Sequence, residues 1–129
     1  GTLAVADLPA EWNRLYKEVV GVKVPDDRRG CLQDVHWSMG AIGYFPTYTL
    51  GTLYAAQFFE KARQDLPGVE EGFARGEFAP LLRWLNERIH AHGRRFLPED
   101  LCRHVTGAPL SAAPFMRHLE SKLLPIYGL

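Results

Sequence analysis

The segment from Pro46 to about Leu66 constrains the fold most, because its apolar residues cover most of the circumference of a helix. They recur at intervals of three and four and form two adjacent stripes: Leu50, Tyr54 and Phe58, and then Leu53, Ala56, Phe59 and Ala62. Pro46 suits the first turn of a helix, and Pro67-Gly68 would end it. A helix that is apolar over most of its girth belongs inside a core. The pattern therefore predicts one long central helix.

Shorter helices are predicted on both sides of this segment, where apolar residues recur at helical spacing between prolines and glycines. Their predicted ranges are Asp7 to Gly21, Val69 to Arg75, Phe78 to His92, Pro98 to Gly107 and Ser111 to Tyr127. Asp7 can cap the first helix, and Pro9 suits its first turn. The inner face of the third is predicted to carry Leu81, Leu82, Leu85 and Ile89. No segment alternates as a strand would, so we predict an all-α fold in a single helical region over residues 1–129.

Composition excludes several classes of protein. The chain carries 15 Lys and Arg against 15 Asp and Glu, so it lacks the basic footprint of a nucleic-acid-binding protein. No apolar run approaches the roughly 20 residues of a membrane span, and the N-terminus does not resemble a signal peptide. Cys31 and Cys102 lie far apart, which favours two reduced, buried thiols. We expect a cytoplasmic protein that binds neither nucleic acid nor membrane.

The candidate chemistry lies in the segment that leads into the long helix. Gln33, Asp34 and His36 place an amide, a carboxylate and an imidazole close together. If the backbone is extended, side chains two residues apart share a face, and Asp34 could then fix the tautomer of His36. The alternative is structural: the three side chains would form a buried polar network that ties the loop to the helix. The spacing alone leaves both interpretations open.

Two tyrosines follow in the same segment. Tyr44 and Tyr48 are four residues apart, so they would share a face if the helix began slightly before Pro46. They are either core aromatics or phenol donors to a developing oxyanion, for which a phenol is suited.

Neither a metal site nor an activated nucleophile is predicted from the chain itself. Its five histidines include no pair four residues apart on one helix, and no His-Glu-x-x-His motif occurs. Cys31 and Ser38 lie near His36 in sequence, but adjacency does not create the hydrogen bond between a nucleophile and its base. We therefore expect no catalytic metal on this chain and no activity from it in isolation.

The order and spacing of these residues resemble a known family. Gly30-x-x-Gln33-Asp34-x-His36-Trp37 resembles the Gly-x-x-Gln-Asp-x-His-Trp signature of the carboxypeptidase Taq family, which comprises thermostable metallocarboxypeptidases. The resemblance continues through Gly43-Tyr44-Phe45-Pro46-Thr47-Tyr48 and Ile89-His90-x-His92-Gly93-Arg94-Arg95-Phe96-Leu97-Pro98, and it covers nearly the whole chain.

The chain also departs from that family. Members are much longer, and their His-Glu-x-x-His zinc motif, third glutamate ligand and Ile-Arg-x-x-Ala-Asp motif all precede the matched region. None of these motifs occurs here, and the first residue is Gly1 rather than Met. The resemblance therefore implies the C-terminal part of such an enzyme, with a missing N-terminal catalytic region as its partner.

What the resemblance implies is the helical fold of neurolysin-like zincin metallopeptidases and the release of single amino acids from peptide C-termini. Zinc, or cobalt, would be bound by the full-length enzyme, where metal-bound water attacks the scissile carbonyl and a histidine and a tyrosine stabilise the oxyanion. Matched position by position, His36, Tyr44 and Tyr48 would be the catalytic residues, with Tyr48 slightly favoured over Tyr44. Gln33 and Asp34 would hold His36. The resemblance also implies a homodimer.

The identity of the residue that holds the terminal carboxylate of the substrate stays open. An arginine from the missing region is favoured, and Arg28 and Arg29 are interpreted as a solvated loop pair. A different class of function is the alternative: a stand-alone helical interaction or structural domain that has the scaffold without the catalysis.

Overall fold

A computed structural model describes residues 2–129 of the chain. These residues form helices and turns, and no strand occurs between residues 2 and 129. The all-α prediction is confirmed. The described residues divide into two compact units, one ending at Pro46 and the other spanning Thr47–Leu129. That the whole acts as a single helical region stays a prediction.

The first unit consists of one α-helix and short 3-10 turns. Helix α1 spans Leu8–Val20, and the turns occupy Val5–Asp7, Asp27–Arg29, Cys31–Gln33 and Val35–Met39. Gly21 ends α1 in the left-handed conformation, with a φ of 78°. Asp7 does not cap α1 with its side chain. The reason is local: the first turn runs straight into α1 and holds Asp7 at φ −88° and ψ −8°, whereas a capping residue is usually extended.

The second unit is built from helices joined by short connections. Helix α2 spans Pro46–Asp65, α3 Val69–Ala74, α4 Ala79–Arg88, α5 Pro98–Thr106 and α6 Ala113–Tyr127. The boundaries marked by proline and glycine are close to those predicted. Helix α2 ends before Pro67, and α5 ends at Gly107, whose φ is 78°.

The core of the second unit packs against the C-terminal half of α2. Ala62, Trp84 and Val105 form its buried centre. The N-terminal half of α2 differs from the prediction of a helix central along its whole length, because Tyr48 is 56% and Leu50 47% exposed.

Helix α4 departs from prediction at its end and on its inner face. It stops at Arg88, because Ile89 leaves the helical region at φ −123° and ψ −63°, and a 3-10 turn over His90–His92 follows. Leu82 is 56% exposed, whereas Trp84 is buried. Leu82 is rotated about 100° from Leu81, so it falls outside the stripe that Leu81, Trp84 and Leu85 form. The prediction that Leu82 lies on the inner face was wrong.

Both cysteines are free and buried, as predicted. Within residues 2–129, no helix combines the length and the apolar character that crossing a membrane requires.

Candidate functional site

The segment that carries the candidate residues is shaped first by Gly30. Asp26 caps the preceding turn, its carboxylate accepting from the backbone N–H of Arg29 at 2.9 Å. Gly30 follows, and a Cβ placed on it would lie 2.6 Å from Cγ1 of Val24 and 3.3 Å from Oδ1 of Asn13. No side chain fits there, so glycine at this position allows the chain to pass close to α1 and to Val24.

Asp34 contacts His36 twice. Its Oδ1 accepts from the backbone N–H of His36 at 3.0 Å and lies 2.7 Å from Nδ1 of the imidazole. The two side chains are 5% and 11% exposed. The geometry is not the extended backbone that the spacing suggested: Asp34 is the N-cap of the 3-10 turn Val35–Met39, hereafter the His36 turn. A capped turn brings residues i and i+2 together just as an extended strand would, by bending the backbone instead.

The contact determines which imidazole nitrogen carries the proton that faces Asp34. An ionised carboxylate only accepts, so Nδ1 must carry the proton that forms the 2.7 Å bond to Asp34. Nε2 is then the nitrogen left for other partners. His36 thus has its ring fixed by Asp34 and one defined nitrogen directed elsewhere.

Gln33 joins this segment to the turn before it. Its Nε2 donates to the backbone carbonyl of Arg28, and the side chain lies at the surface. The guanidinium of Arg29 pairs with Asp26. Gln33 thus ties the backbone of one turn to that of the next, and a role in holding His36 stays a prediction that would act through this backbone.

Two aromatic rings lie beside the imidazole of His36. The ring of Tyr44 is 5.0 Å from it at an angle of 34°, and the ring of Phe45 is 5.5 Å away, edge to face at 84°. Tyr44 precedes α2, and its backbone N–H donates to the carbonyl of Ala41 at 3.2 Å. Tyr44 therefore lies before α2, and the condition for a helical face shared with Tyr48, a helix that begins before Pro46, is not met.

Tyr48 lies on the first turn of α2 and belongs to the second unit. Of the two nucleophiles considered near His36, Cys31 is buried, and Ser38 donates its hydroxyl to the carbonyl of Val35 at 2.7 Å. Both side chains are thus taken up by packing or by the backbone.

Comparison with known proteins decides the family. The family model that describes the carboxypeptidase Taq (M32) metallopeptidases matches residues 1–123 of the sequence. The chain belongs to this M32 family. Its resemblance to the carboxypeptidase Taq family is confirmed.

Named M32 relatives agree with this assignment. The chain is 52% identical over 128 residues to thermostable carboxypeptidase 1 of Thermus thermophilus and 42% identical over 127 residues to carboxypeptidase 1 of Bacillus subtilis, matching 99% and 98% of this chain. It superposes on the crystal structure of an M32 carboxypeptidase from Deinococcus radiodurans with a TM-score of 0.93 and 42% identity, over 100% of this chain and 26% of that one. The chain spans about 25% of the length of the two curated relatives.

The metal that M32 metallopeptidases require has no ligand set in the described part of this chain. Residues 2–129 contain no group of three or more His, Cys, Asp or Glu side chains placed to hold a metal ion. His92 and His104 have ring centroids 5.0 Å apart, and Phe96 packs against both. The residues present therefore do not fit a catalytic zinc or cobalt ion.

The sequence interpretation missed two residues next to the site. Phe45 was recognised only as part of the family motif, yet its ring packs on His36. Trp12 lies within the first predicted helix and was assigned no contact, yet its ring meets that of Trp37 edge to face at 5.9 Å and 88°. The spacing of neighbouring residues in the sequence does not predict contacts between α1 and the His36 turn.

Proposed function

We propose that this chain supplies oxyanion-stabilising groups to an M32 carboxypeptidase that releases single amino acids from peptide C-termini. The observation that supports the proposal is the Asp34–His36 pair, in which a buried carboxylate fixes an imidazole 2.7 Å away. A pair of this kind orients a histidine toward a reacting group. Family membership supports the reaction class, and the Asp34–His36 geometry supports the role.

The role demands a particular protonation state. Nδ1–H is committed to Asp34, so Nε2 donates to an oxyanion only when it too carries a proton. The active form of His36 is then the imidazolium, with the Asp34 carboxylate as its counter-charge. Tyr44, whose ring lies 5.0 Å from that of His36, is the phenol donor proposed here, although Tyr48 is slightly favoured by its predicted position inside the helix. Loss of one oxyanion donor costs roughly 2.7–4 kcal/mol in the barrier, or about 10²–10³ in kcat.

The remaining machinery belongs to residues outside this chain. The catalytic metal, zinc or cobalt, would be held by the part of an M32 polypeptide that has no counterpart here, and that part is the partner that this chain needs. The chain alone is then inactive.

The test is a chimera. In thermostable carboxypeptidase 1 of Thermus thermophilus, residues 1–129 replace the matched quarter, and His36→Gln, Asp34→Asn, Tyr44→Phe and Tyr48→Phe are introduced one at a time. His36→Gln should lower kcat about 10²–10³-fold with little change in KM, and the bound metal should not change. Met39→Leu is the control, because Met39 lies on the same turn and is 70% exposed.

Two outcomes count against the proposal. Unchanged kcat in His36→Gln would remove the oxyanion role. Activity in the chimera equal to that of a Thermus enzyme lacking the matched quarter would favour the alternative, a helical interaction or structural domain without catalysis. The tyrosine variants decide between Tyr44 and Tyr48, since only the true donor should lower kcat on the scale of His36→Gln.

A further inference from the structure

The His36 turn is a short element. It has five residues, Val35–Met39, and 3-10 turns of this length are weakly hydrogen-bonded. Three of the five side chains are exposed at the surface, those of Val35, Ser38 and Met39. The side chains that pack inward are His36 and Trp37. Asp34 fixes the ring of His36 relative to this turn, and it lies directly before the turn as its N-cap.

Trp37 links the turn to α1. Its ring meets that of Trp12 edge to face, with centroids 5.9 Å apart and planes at 88°. Trp12 sits on α1 and stacks on Tyr16, one helical turn further on, at 6.4 Å. Helix α1 thus presents two stacked rings, of which the first receives Trp37.

The contact depends on ring packing and not on a hydrogen bond. Nε1 of Trp12 is buried without a hydrogen-bond partner among the described residues. Burying an N–H without a partner costs free energy of folding, so the N–H of Trp12 does not stabilise the contact. The indole stabilises the contact with Trp37 through its aromatic surface. Phenylalanine at this position keeps such a surface and removes the N–H.

We propose that Trp12 is a positioning residue for His36, acting through Trp37. The inference rests on the proposed oxyanion role of His36. Asp34 orients the imidazole on its turn, and the Trp12–Trp37 contact orients the turn on α1. Without the second contact, Nε2 of His36 shifts relative to the reacting carbonyl, and misplacement of a catalytic group by about 1 Å costs up to roughly 10²-fold in rate.

The test is a double-mutant cycle in the same chimera. Trp12→Ala should lower kcat about 10- to 100-fold, with KM and bound metal unchanged, and Trp12→Phe should retain most of the rate. In the His36→Gln background, Trp12→Ala should have no further effect on kcat, because the group that it positions is already gone. Val19→Ala is the control, since Val19 lies on the same helix and is 79% exposed.

The outcomes separate this inference from the function on which it rests. If Trp12→Ala lowers kcat by the same factor in both backgrounds, its role is general stability and the inference is overturned. If it lowers kcat in neither, the contact is irrelevant to activity, and the inference is again overturned. If His36→Gln itself leaves kcat unchanged, the proposed function is what has failed. Where Trp12→Ala does not fold, Trp12→Leu, which keeps apolar volume without a ring, takes its place with the same outcomes.

Discussion

Replacing Gln57 by methionine tests what holds the connection between α5 and α6. The Gln57 side chain lies on α2 and is buried. Its Nε2 donates to Oγ1 of Thr106 at 3.2 Å and to the carbonyl of Pro109 at 3.0 Å, and its Oε1 accepts from the N–H of Ser111 at 2.9 Å. Methionine has nearly the same shape but makes none of these bonds, so the variant isolates their contribution to stability.

The expected loss follows from these three bonds. At about 0.5–1.5 kcal/mol each, they sum to roughly 1.5–4.5 kcal/mol. Pro109 and Ser111 are exposed residues, and a cavity of about 200 Å³ lies beside the amide, so water can reach the groups that Gln57 leaves. We therefore expect a value in the lower half of the range, roughly 2 kcal/mol.

The assay is urea unfolding followed by circular dichroism at 222 nm. Gln57→Met should lower the midpoint without changing the slope of the transition, because the surface exposed on unfolding is the same. Gln64→Met is the matched control, since Gln64 lies on the same helix but is exposed. Equal midpoints for the two variants would refute the view that the amide holds this connection.

Three further outcomes are expected in the purified protein. Gly30→Ala should unfold at lower temperature, because its Cβ would lie 2.6 Å from a neighbouring methyl carbon, whereas Gly51→Ala, whose Cβ meets nothing within 4 Å, should gain up to about 1 kcal/mol. Thermal unfolding compares the two, and equal losses would contradict the packing argument. The Lys61 ammonium beside Asp65 holds the pKa of that carboxyl below its usual range, so the pair contributes stability above about pH 4 that is lost as pH falls through the lower folded-state value. Carboxyl groups titrate between about pH 5 and pH 3. Over this range the urea midpoint should therefore fall less steeply in Asp65→Asn than in the unchanged protein, and parallel curves would contradict a stabilising Lys61–Asp65 pair. Burial raises the pKa of the Cys102 thiol, so an aromatic disulfide reagent at mildly alkaline pH should modify it only after unfolding, which rapid native-state labelling at Cys102 would disprove.

The parts of the fold that were predictable from sequence are those encoded by neighbouring residues. Helix ends at Gly21, Pro67 and Gly107 follow from the backbone preferences of glycine and proline, which act locally. The Asp34–His36 pairing was suggested by spacing, but the turn that forms it was not, because that turn also depends on the packing around Gly30.

Contacts between distant residues could not be predicted in this way. Gln57 reads in the sequence as one polar residue on an apolar helix, and its partners lie 49 to 54 residues further along the chain. Trp84 was missed as the centre of the core because its role depends on Ala62 and Val105, which belong to other helices. Trp12 was missed for the same reason, since nothing near it in sequence indicates Trp37.

Most of the specified residues of the family signature have a structural role in this chain. Gly30 allows a close approach, Gln33 fastens one turn to another, Asp34 caps, and Trp37 packs on α1. His36 is the residue of the signature for which a catalytic role is proposed. A relative that had lost catalysis through substitution of this histidine would still need the other residues of the signature in order to fold. The signature thus identifies the shape of the segment, and under the proposed oxyanion role the residue at position 36 is what would separate a working peptidase from an inactive descendant.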